Sequence, residues 1–273
     1  MGKVLRLPDR GTLLVCTDLQ GNLRDFQQMV RHFRAAGDDA VLVLTGDLVH
    51  GPDEATVDAW PEHLGTPYTD QSPELVEAFI AEQARAPGRV HCLLGNHDHA
   101  HAGGPVTKKF HPDERAALES RLDAAGVKRL RALIRTFPLA AVSACGVVLL
   151  HAAPSAPITS AADLEALDTE GFEQMDFRDF LARSEVLSPM LWSRMAKPDQ
   201  AKAFVEALGC TLAIFGHDVV REGWAADSDE QLCVSTSFGC FDARKVYVQL
   251  DLGARYRGVR DLREGTEIKK LYP

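Results

Sequence analysis

The sequence predicts an α/β fold built from mixed sheets covered by helices, and three features predict it. Short apolar runs alternate with helical segments through the first half. Two apolar runs flanking Cys145-Gly146 read as a hairpin in the middle, and strand-like runs return in the last third. The first strand is residues 12–17, ending at Asp18. A helix over 23–36 follows, with Leu23, Phe26, Val30 and Phe33 on one face, and Gly37 stops it. Residues 40–45 form a second buried strand that ends at Gly46-Asp47. Residues 51–72 are rich in Pro and Gly and read as a loose segment, and 73–84 as a helix with Leu75, Val76, Phe79 and Ile80 on one side. A third strand, 89–94, ends at Gly95-Asn96-His97-Asp98. Residues 112–137 read as helices rich in Arg, Ala and Leu, broken at Gly126. The hairpin strands are 139–144 and 147–151. Helices are expected near 163–167, 171–183 and 198–208, and strands over 211–215, 231–235 and 245–251. No repeat, low-complexity stretch or flexible linker interrupts the pattern, so residues 1–273 are expected to form one domain.

Composition excludes several function classes. A hydrophobic fraction of 45% over 273 residues supports a substantial core, and 25% charged residues is ordinary for a globular protein. The net charge of -9, with no long basic run, argues against nucleic acid as the main partner, because phosphate backbones are gripped by basic patches. The N-terminal MGKVLRLPDRGTLLVCTD lacks the apolar stretch and cleavage site of a signal peptide, and no run is long enough to span a membrane as a helix. Six scattered cysteines form no CxxC pair, and four lie in apolar runs. Buried reduced thiols and a cytoplasmic location are therefore expected.

Five apolar runs end in a residue that can bind a metal. Asp18 follows TLLVCT, Asp47 follows VLVLTG, Asn96 follows VHCLLG, His151 follows VVLL, and His217 follows LAIFG. Ligands bind at the carboxyl ends of strands in α/β sheets. A lone Asp after a strand is ordinarily a cap or turn residue, and a lone buried His a core residue. Five such positions on five strand ends argue for a shared site. Carboxylate, amide oxygen and imidazole together suit manganese, iron or zinc.

The segments Asp18-Leu19-Gln20-Gly21-Asn22, Gly46-Asp47-Leu48-Val49-His50 and Gly95-Asn96-His97-Asp98, followed by His151 and Gly216-His217, resemble the calcineurin-like metallophosphoesterases. The similarity is closest to the phosphoprotein phosphatase branch and to symmetrical diadenosine tetraphosphatase. It spans scattered blocks from Leu13 to Leu252, of which Gly-Asn-His-Asp is the most specific. The resemblance implies a four-layer α/β/β/α sandwich of two mixed sheets flanked by helices, with two divalent metals at one edge. Manganese is the expected metal, with iron, zinc or magnesium as alternatives. It implies that Asp18 and Gln20 bind the first metal, that Asp47 bridges the two, and that Asn96, His151 and His217 bind the second. Two divalent ions against two carboxylates and one hydroxide leave about +1, which suits an anionic phosphate, and metals lower the pKa of bound water to about 7. His97 stands where the family places the acid that protonates the leaving oxygen. Asp47, His97 and His50 are thus the expected catalytic residues. The implied activity is a serine/threonine protein phosphatase-like phosphomonoesterase acting on a phosphorylated protein or nucleotide. Hydrolysis of a nucleotide anhydride or phosphodiester, of the dinucleoside polyphosphate type, is the alternative. A degenerate phosphatase serving as a scaffold is a further one.

Three departures qualify the resemblance. Gln20 replaces a histidine; an amide oxygen is the weaker ligand, so the first metal is expected to bind loosely or to be manganese or magnesium. His50 replaces an aspartate that orients His97, and a neutral histidine cannot supply that charge; it could instead touch phosphate or be an ordinary loop residue. The branch's two phosphate-clamping arginines are replaced by Gly51 and Leu94. Arg194 and Arg221 are candidates to substitute for them. His99 and His101 are expected on the rim of the site, and the Gly103-Gly104-Pro105 loop, which runs on to His111, at its entrance.

Overall fold

Residues 2–273 are described by a computed structural model, in which the apolar runs become the strands of two mixed sheets. In chain order these are β1 (Val4–Arg6), β2 (Thr12–Cys16), β3 (Val41–Leu44), β4 (Val90–Cys92), β5 (Ala140–Val142), β6 (Val147–Leu150), β7 (Leu212–Phe215), β8 (Trp224–Ser228), β9 (Gln231–Val234), β10 (Val246–Asp251) and β11 (Ile268–Lys270). The helices are α1 (Leu23–Ala35), α2 (Glu54–Asp58), α3 (Ser72–Arg85), α4 (Asn96–His99), α5 (Glu114–Glu119), α6 (Ala124–Ile134), α7 (Ala161–Glu165), α8 (Phe177–Arg183), α9 (Leu187–Trp192) and α10 (Pro198–Ala207). One sheet has the order β1-β5-β6-β7-β9-β8 and the other β11-β10-β2-β3-β4.

Successive residues of a strand face opposite sides of its sheet, and here both sides are buried. Leu13 and Val15 of β2, Val41 and Val43 of β3, Val147 and Leu149 of β6, and Leu212 and Ile214 of β7 join a single cluster between the sheets. Their neighbours Leu14, Cys16, Leu42 and Leu44 pack outward with Phe26, Met29 and Phe33 of α1 and Leu75 and Phe79 of α3. Val148, Leu150, Ala213 and Phe215 do the same with Phe204 and Val205 of α10. Helix, sheet, sheet, helix is the expected four-layer order. Double burial also explains why the strands read as near-continuous apolar runs.

Two features of this frame position the site. β2, β3 and β4 are mutually parallel, as are β6, β7 and β9, so their carboxyl ends point the same way within each sheet. α1 starts cleanly beyond β2, with the Asn22 side chain accepting from the Asp25 amide at 3.1 Å.

The hairpin forms as expected, pairing Ala140 with Leu150. Other expectations shift. The helical break falls at residues 120–123, not at Gly126; Gly126 lies in the first turn of α6, where its amide donates to the capping Asp123 Oδ1 at 2.6 Å. The helix expected from 171 starts only at Phe177, capped by Asp176. The loose segment 51–72 holds α2 and a short 3-10 turn at Glu62–Leu64. β1 and β8 went unread because they are edge strands, half or mostly exposed, without an apolar run. All six cysteines are free and buried. Among the described residues, no helix is long and apolar enough to cross a membrane.

A candidate metal centre at the strand tips

Just past the strand tips the backbone is forced into an unusual conformation. Among the described residues, the non-glycine positions with positive φ are Asp18 (49°), Gln20 (41°), Asp47 (53°), His50 (72°) and His217 (65°). All five are residues the motifs single out. A non-glycine residue in the left-handed region costs about 1–3 kcal/mol and persists only where surrounding structure holds it. Glycines before the tips permit the crowding: a Cβ on Gly95 would lie 2.2 Å from the Asp47 amide nitrogen, and one on Gly216 would lie 2.1 Å from Asp18 Oδ2.

The side chains converge. Asp18 follows β2, and both its carboxylate oxygens accept from the His217 amide at 3.1 and 3.0 Å. Asp47 follows β3, and its Oδ1 accepts from the His97 amide at 3.0 Å. Asp98 holds that turn from below, accepting from the amides of Asp47 at 2.8 Å and Leu48 at 3.0 Å. His151, after β6, donates from Nδ1 to the Thr45 carbonyl at 3.0 Å. Its Nε2 then faces Asn96 Oδ1 at 2.8 Å, His217 Nδ1 at 3.1 Å and Asp47 Oδ1 at 3.6 Å. A neutral His151 with its proton on Nδ1 offers only a lone pair to those two oxygens.

Electrostatics sharpen the picture. Burial works against the Asp47 charge, yet His151, His97 and His217 outweigh it and hold the carboxyl down at about 2. Burial raises Asp18 to about 6 despite His151. Burial, with His151 beside it, pushes His217 down to about 2, leaving a neutral imidazole whose buried Nε2 has no protein partner. Asp47, His151 and His217 each offer a ligand atom within 4.8 Å of the others. Carboxylate, amide oxygen and neutral imidazole are a donor set that fits divalent transition metals.

Gln20 is part of the cluster in a different way. Its Nε2 donates to Asp47 Oδ2 at 3.3 Å, and its carbonyl oxygen accepts from Lys109 Nζ at 3.0 Å. Lys109 lies on an exposed stretch of the loop over the site, and its side chain reaches inward to place Nζ 3.5 Å from the centre of the Phe238 ring. His97 Nε2 lies 4.0 Å from Asp47 Oδ2, and its Nδ1 lies 3.2 Å from Glu114 Oε2, at the start of α5. Burial pulls the His97 pKa down, but Asp47 and Glu114 outweigh it and raise it. Lys109 and Glu114 are the residues that motif reading missed. Lys109 falls in the loop read only as the entrance, and nothing in the spacing marks either one.

The other candidates are placed as follows. His50 is buried, 3.3 Å from His97 through their Nδ1 atoms. Arg194 stands at the edge, 58% exposed, donating to the His217 carbonyl at 3.3 Å and to Asp218 at 2.7 Å. Arg221 instead lines a cleft of about 330 Å³ with His63, Gly239 and Phe241. The rim placement of His99 and His101 is corrected. Both are fully buried, His99 facing the Thr169 carbonyl at 2.8 Å among Phe172 and Phe180, and His101 facing Glu119 at 3.0 Å. His99 closes α4 and His101 lies in the turn just after it, and both point inward from the surface.

The model of a family described as calcineurin-like phosphoesterase matches residues 11–221. A protein serine/threonine phosphatase from Saccharomyces cerevisiae superposes with a TM-score of 0.66 at 14% identity, covering 91% of this chain and 76% of that one. A cold-active protein-tyrosine phosphatase from a psychrophilic Shewanella superposes at 0.61 and 14% identity, covering 93% and 78%. At such identities the likeness speaks for the fold. No curated protein is significantly similar in sequence.

Proposed function

The chain belongs to the calcineurin-like phosphoesterases, hydrolases of phosphate esters, and from that premise we propose that it is a metal-dependent phosphomonoesterase of the serine/threonine protein phosphatase type. The observation that carries this reading is the convergence of His151 Nε2, Asn96 Oδ1 and Asp47 Oδ1 on one buried point, with His217 beside them. In the proposed arrangement Asp18, Gln20 and the bridging Asp47 hold one divalent cation, and Asp47, Asn96, His151 and His217 hold another, with manganese preferred. Bound divalent ions would neutralise phosphate charge and lower the pKa of water. Gln20 can reach a cation only through the oxygen that Lys109 holds, so the ammonium competes for it and the first cation binds more weakly.

The protein's own groups supply the rest. Asp47, kept ionised, fixes the charge balance of the site. His97 presents Nε2 toward Asp47 and is the proton donor to the leaving oxygen. Glu114 supplies the negative charge that His50 cannot, so the His-for-Asp exchange at position 50 is offset from another element. Lys109 serves as the phosphate-holding cation in place of the missing arginine clamp, with Arg194 at the rim. Free buried thiols support a cytoplasmic setting.

A second reading rests on a specific cavity. A pocket of about 560 Å³ lined by Thr107, Met175, Phe177 and Trp192 adjoins the site, with the Trp192 ring 6.1 Å from that of His217. Its aromatic wall suits a nucleoside and favours a nucleotide anhydride or phosphodiester substrate. Manganese-loaded protein should be assayed with p-nitrophenyl phosphate, phosphopeptides, bis-p-nitrophenyl phosphate and dinucleoside polyphosphates. Preference for the first two supports the monoesterase; preference for the last two moves the assignment to the second reading. Asp47→Asn should abolish turnover with the fold intact, and retained activity contradicts the proposed centre.

A further inference from the structure

Beside the strand-tip cluster, three buried side chains from separate elements face one another. His50 follows β3, His97 lies in α4 and Glu114 opens α5, and each is 6% exposed or less. His50 Nδ1 is 3.3 Å from His97 Nδ1 and 3.9 Å from Glu114 Oε2; His97 Nδ1 is 3.2 Å from the same oxygen. Glu114 Oε1 accepts from the Phe110 amide, but buried Oε2, though at ion-pair distance from His97, accepts no hydrogen bond.

The hydrogen-bond chain behind His50 fixes which atoms carry protons. Glu119, paired with Arg131 at 2.7 Å, accepts from His101 Nδ1 at 3.0 Å. Neutral His101 therefore presents a lone pair at Nε2. His50 Nε2, 2.8 Å away, must bring the hydrogen between them. Neutral His50 then has only a lone pair at Nδ1, aimed at His97 and Glu114. Burial lowers the pKa of both His50 and His101, in keeping with neutral rings. Burial opposes the Glu114 charge, but His97 outweighs it and keeps the carboxylate ionised.

Two imidazole nitrogens and a carboxylate oxygen thus converge, with only the His97 Nδ1 proton and the Thr107 hydroxyl between them. Ligands about 2.0–2.1 Å from a tetrahedral zinc stand roughly 3.3–3.4 Å apart; two of the three separations here match, and the third, between His50 and Glu114, is longer at 3.9 Å. Two histidines and a glutamate with one position open is an established zinc donor set. Thr107 Oγ1, 3.4 Å from His50 Nδ1, borders the open side. A histidine ligand whose far nitrogen is tied to a carboxylate through hydrogen bonds is oriented as a metal ligand should be.

We propose that His50, His97 and Glu114 form an additional divalent-cation site of zinc type, distinct from the strand-tip centre, in which the cation replaces the Nδ1 proton of His97. The bond formed is from the Nδ1 lone pair to the cation, and the displaced proton passes to solvent. His97 then holds only its Nε2 proton, and releasing that would leave an imidazolate, so the ring becomes a far weaker acid. Zinc at this site is an inhibitor of proton donation. The site stands on geometry alone; the inhibition rests on the phosphoesterase reading.

Cobalt(II) is the probe for the site. The full-length protein and its His50→Ala, Glu114→Gln and His151→Ala variants are dialysed against Co2+, with bound metal counted per chain and visible spectra recorded. The parent should bind one more cobalt than His50→Ala or Glu114→Gln. The intense visible bands of four-coordinate cobalt should vanish in those two variants and survive in His151→Ala. Glu114→Gln is nearly isosteric, and its circular dichroism checks the fold. Equal cobalt counts in parent and both variants, or bands lost in His151→Ala alone, overturn the site. For the inhibition, zinc is added to manganese-loaded protein. Turnover of phenyl phosphate, whose leaving group needs a proton, should fall toward the roughly 10²–10⁴-fold that a positioned acid contributes. Turnover of p-nitrophenyl phosphate should fall far less, and Glu114→Gln should not show the difference. Equal loss on both substrates overturns the inhibition. Failure of the phosphoesterase reading would appear separately, as no turnover of either substrate without zinc.

Discussion

Replacing Lys109 with methionine keeps the length of the side chain and removes its charge. In the parent the ammonium donates to Gln20 Oε1 at 3.0 Å, packs 3.5 Å from the centre of the Phe238 ring, and feels Asp47, Asp18 and Glu114. Desolvation of the inward-reaching ammonium pushes its pKa down from 10.5 to about 8, and those three carboxylates oppose the fall, so the group is charged at pH 7. A hydrogen bond to a charged group contributes about 1.5–3 kcal/mol. At tenfold per 1.4 kcal/mol, Lys109→Met should lower kcat/KM for p-nitrophenyl phosphate by about 10- to 150-fold. Metal binding should move the other way. The variant loses a positive charge near Asp18 and Asp47 and frees the Gln20 oxygen, so the Kd for manganese should fall. Steady-state kinetics and a manganese titration on the same preparation measure both. A general disturbance of the site would weaken both quantities together. Unchanged kinetics, or weaker manganese binding, would refute the role given to Lys109.

Other substitutions test neighbouring parts of the argument. Gln20→His should tighten manganese binding, because imidazole is the stronger donor; an unchanged affinity in a titration would show that position 20 does not face the cation. Lys245 is fully buried, with Nζ 2.6 Å from Asp25 and 2.9 Å from Asp242, while Asp25 also accepts from Ser237 and Tyr272. Lys245→Met strands the Asp25 charge and should cost about 3–5 kcal/mol in urea unfolding; a change within about 0.5 kcal/mol, typical of an exposed position, would refute that. Glu119 is held down from 4.5 to about 2 because, against burial, His101 and Arg131 favour its charge. A depressed carboxyl contributes stability that is present above its unfolded pKa and lost as pH falls through the folded one. The stability advantage of the parent over Glu119→Gln should therefore be full above pH 4.5 and disappear toward pH 2. An advantage independent of pH would place the effect in packing.

The strand-tip residues were legible because the same physics writes both the strand and its end. A doubly buried strand must be an apolar run, so a lone Asp18, Asp47, His151 or His217 at its close stands out, and the packing of one sheet on the other then gathers them. What the sequence could not display is a charge supplied from elsewhere. Reading position by position, His50 and Leu94 register as losses: a missing aspartate and a missing arginine. The structure shows which charged groups stand nearby. Glu114 reaches His97 because α5 packs Leu118 into the helical layer and turns the first residue of the helix inward. Lys109 reaches Gln20 because Phe110 and Phe238 meet at 6.0 Å and hold the loop over the tips. Both depend on tertiary packing of a segment with no period of its own, and an Asp-Glu pair or a Lys-Lys pair in such a segment looks like solvated surface. The misplacement of His99 and His101 has the same origin, since a histidine-rich tract reads as exposed until α4 and the turn after it are seen to be buried on all sides. A departure from a motif is therefore better read as a question about the surrounding fold than as evidence of lost function: on the proposed reading, the negative charge beside His97 comes from Glu114, some sixty positions along the chain from His50.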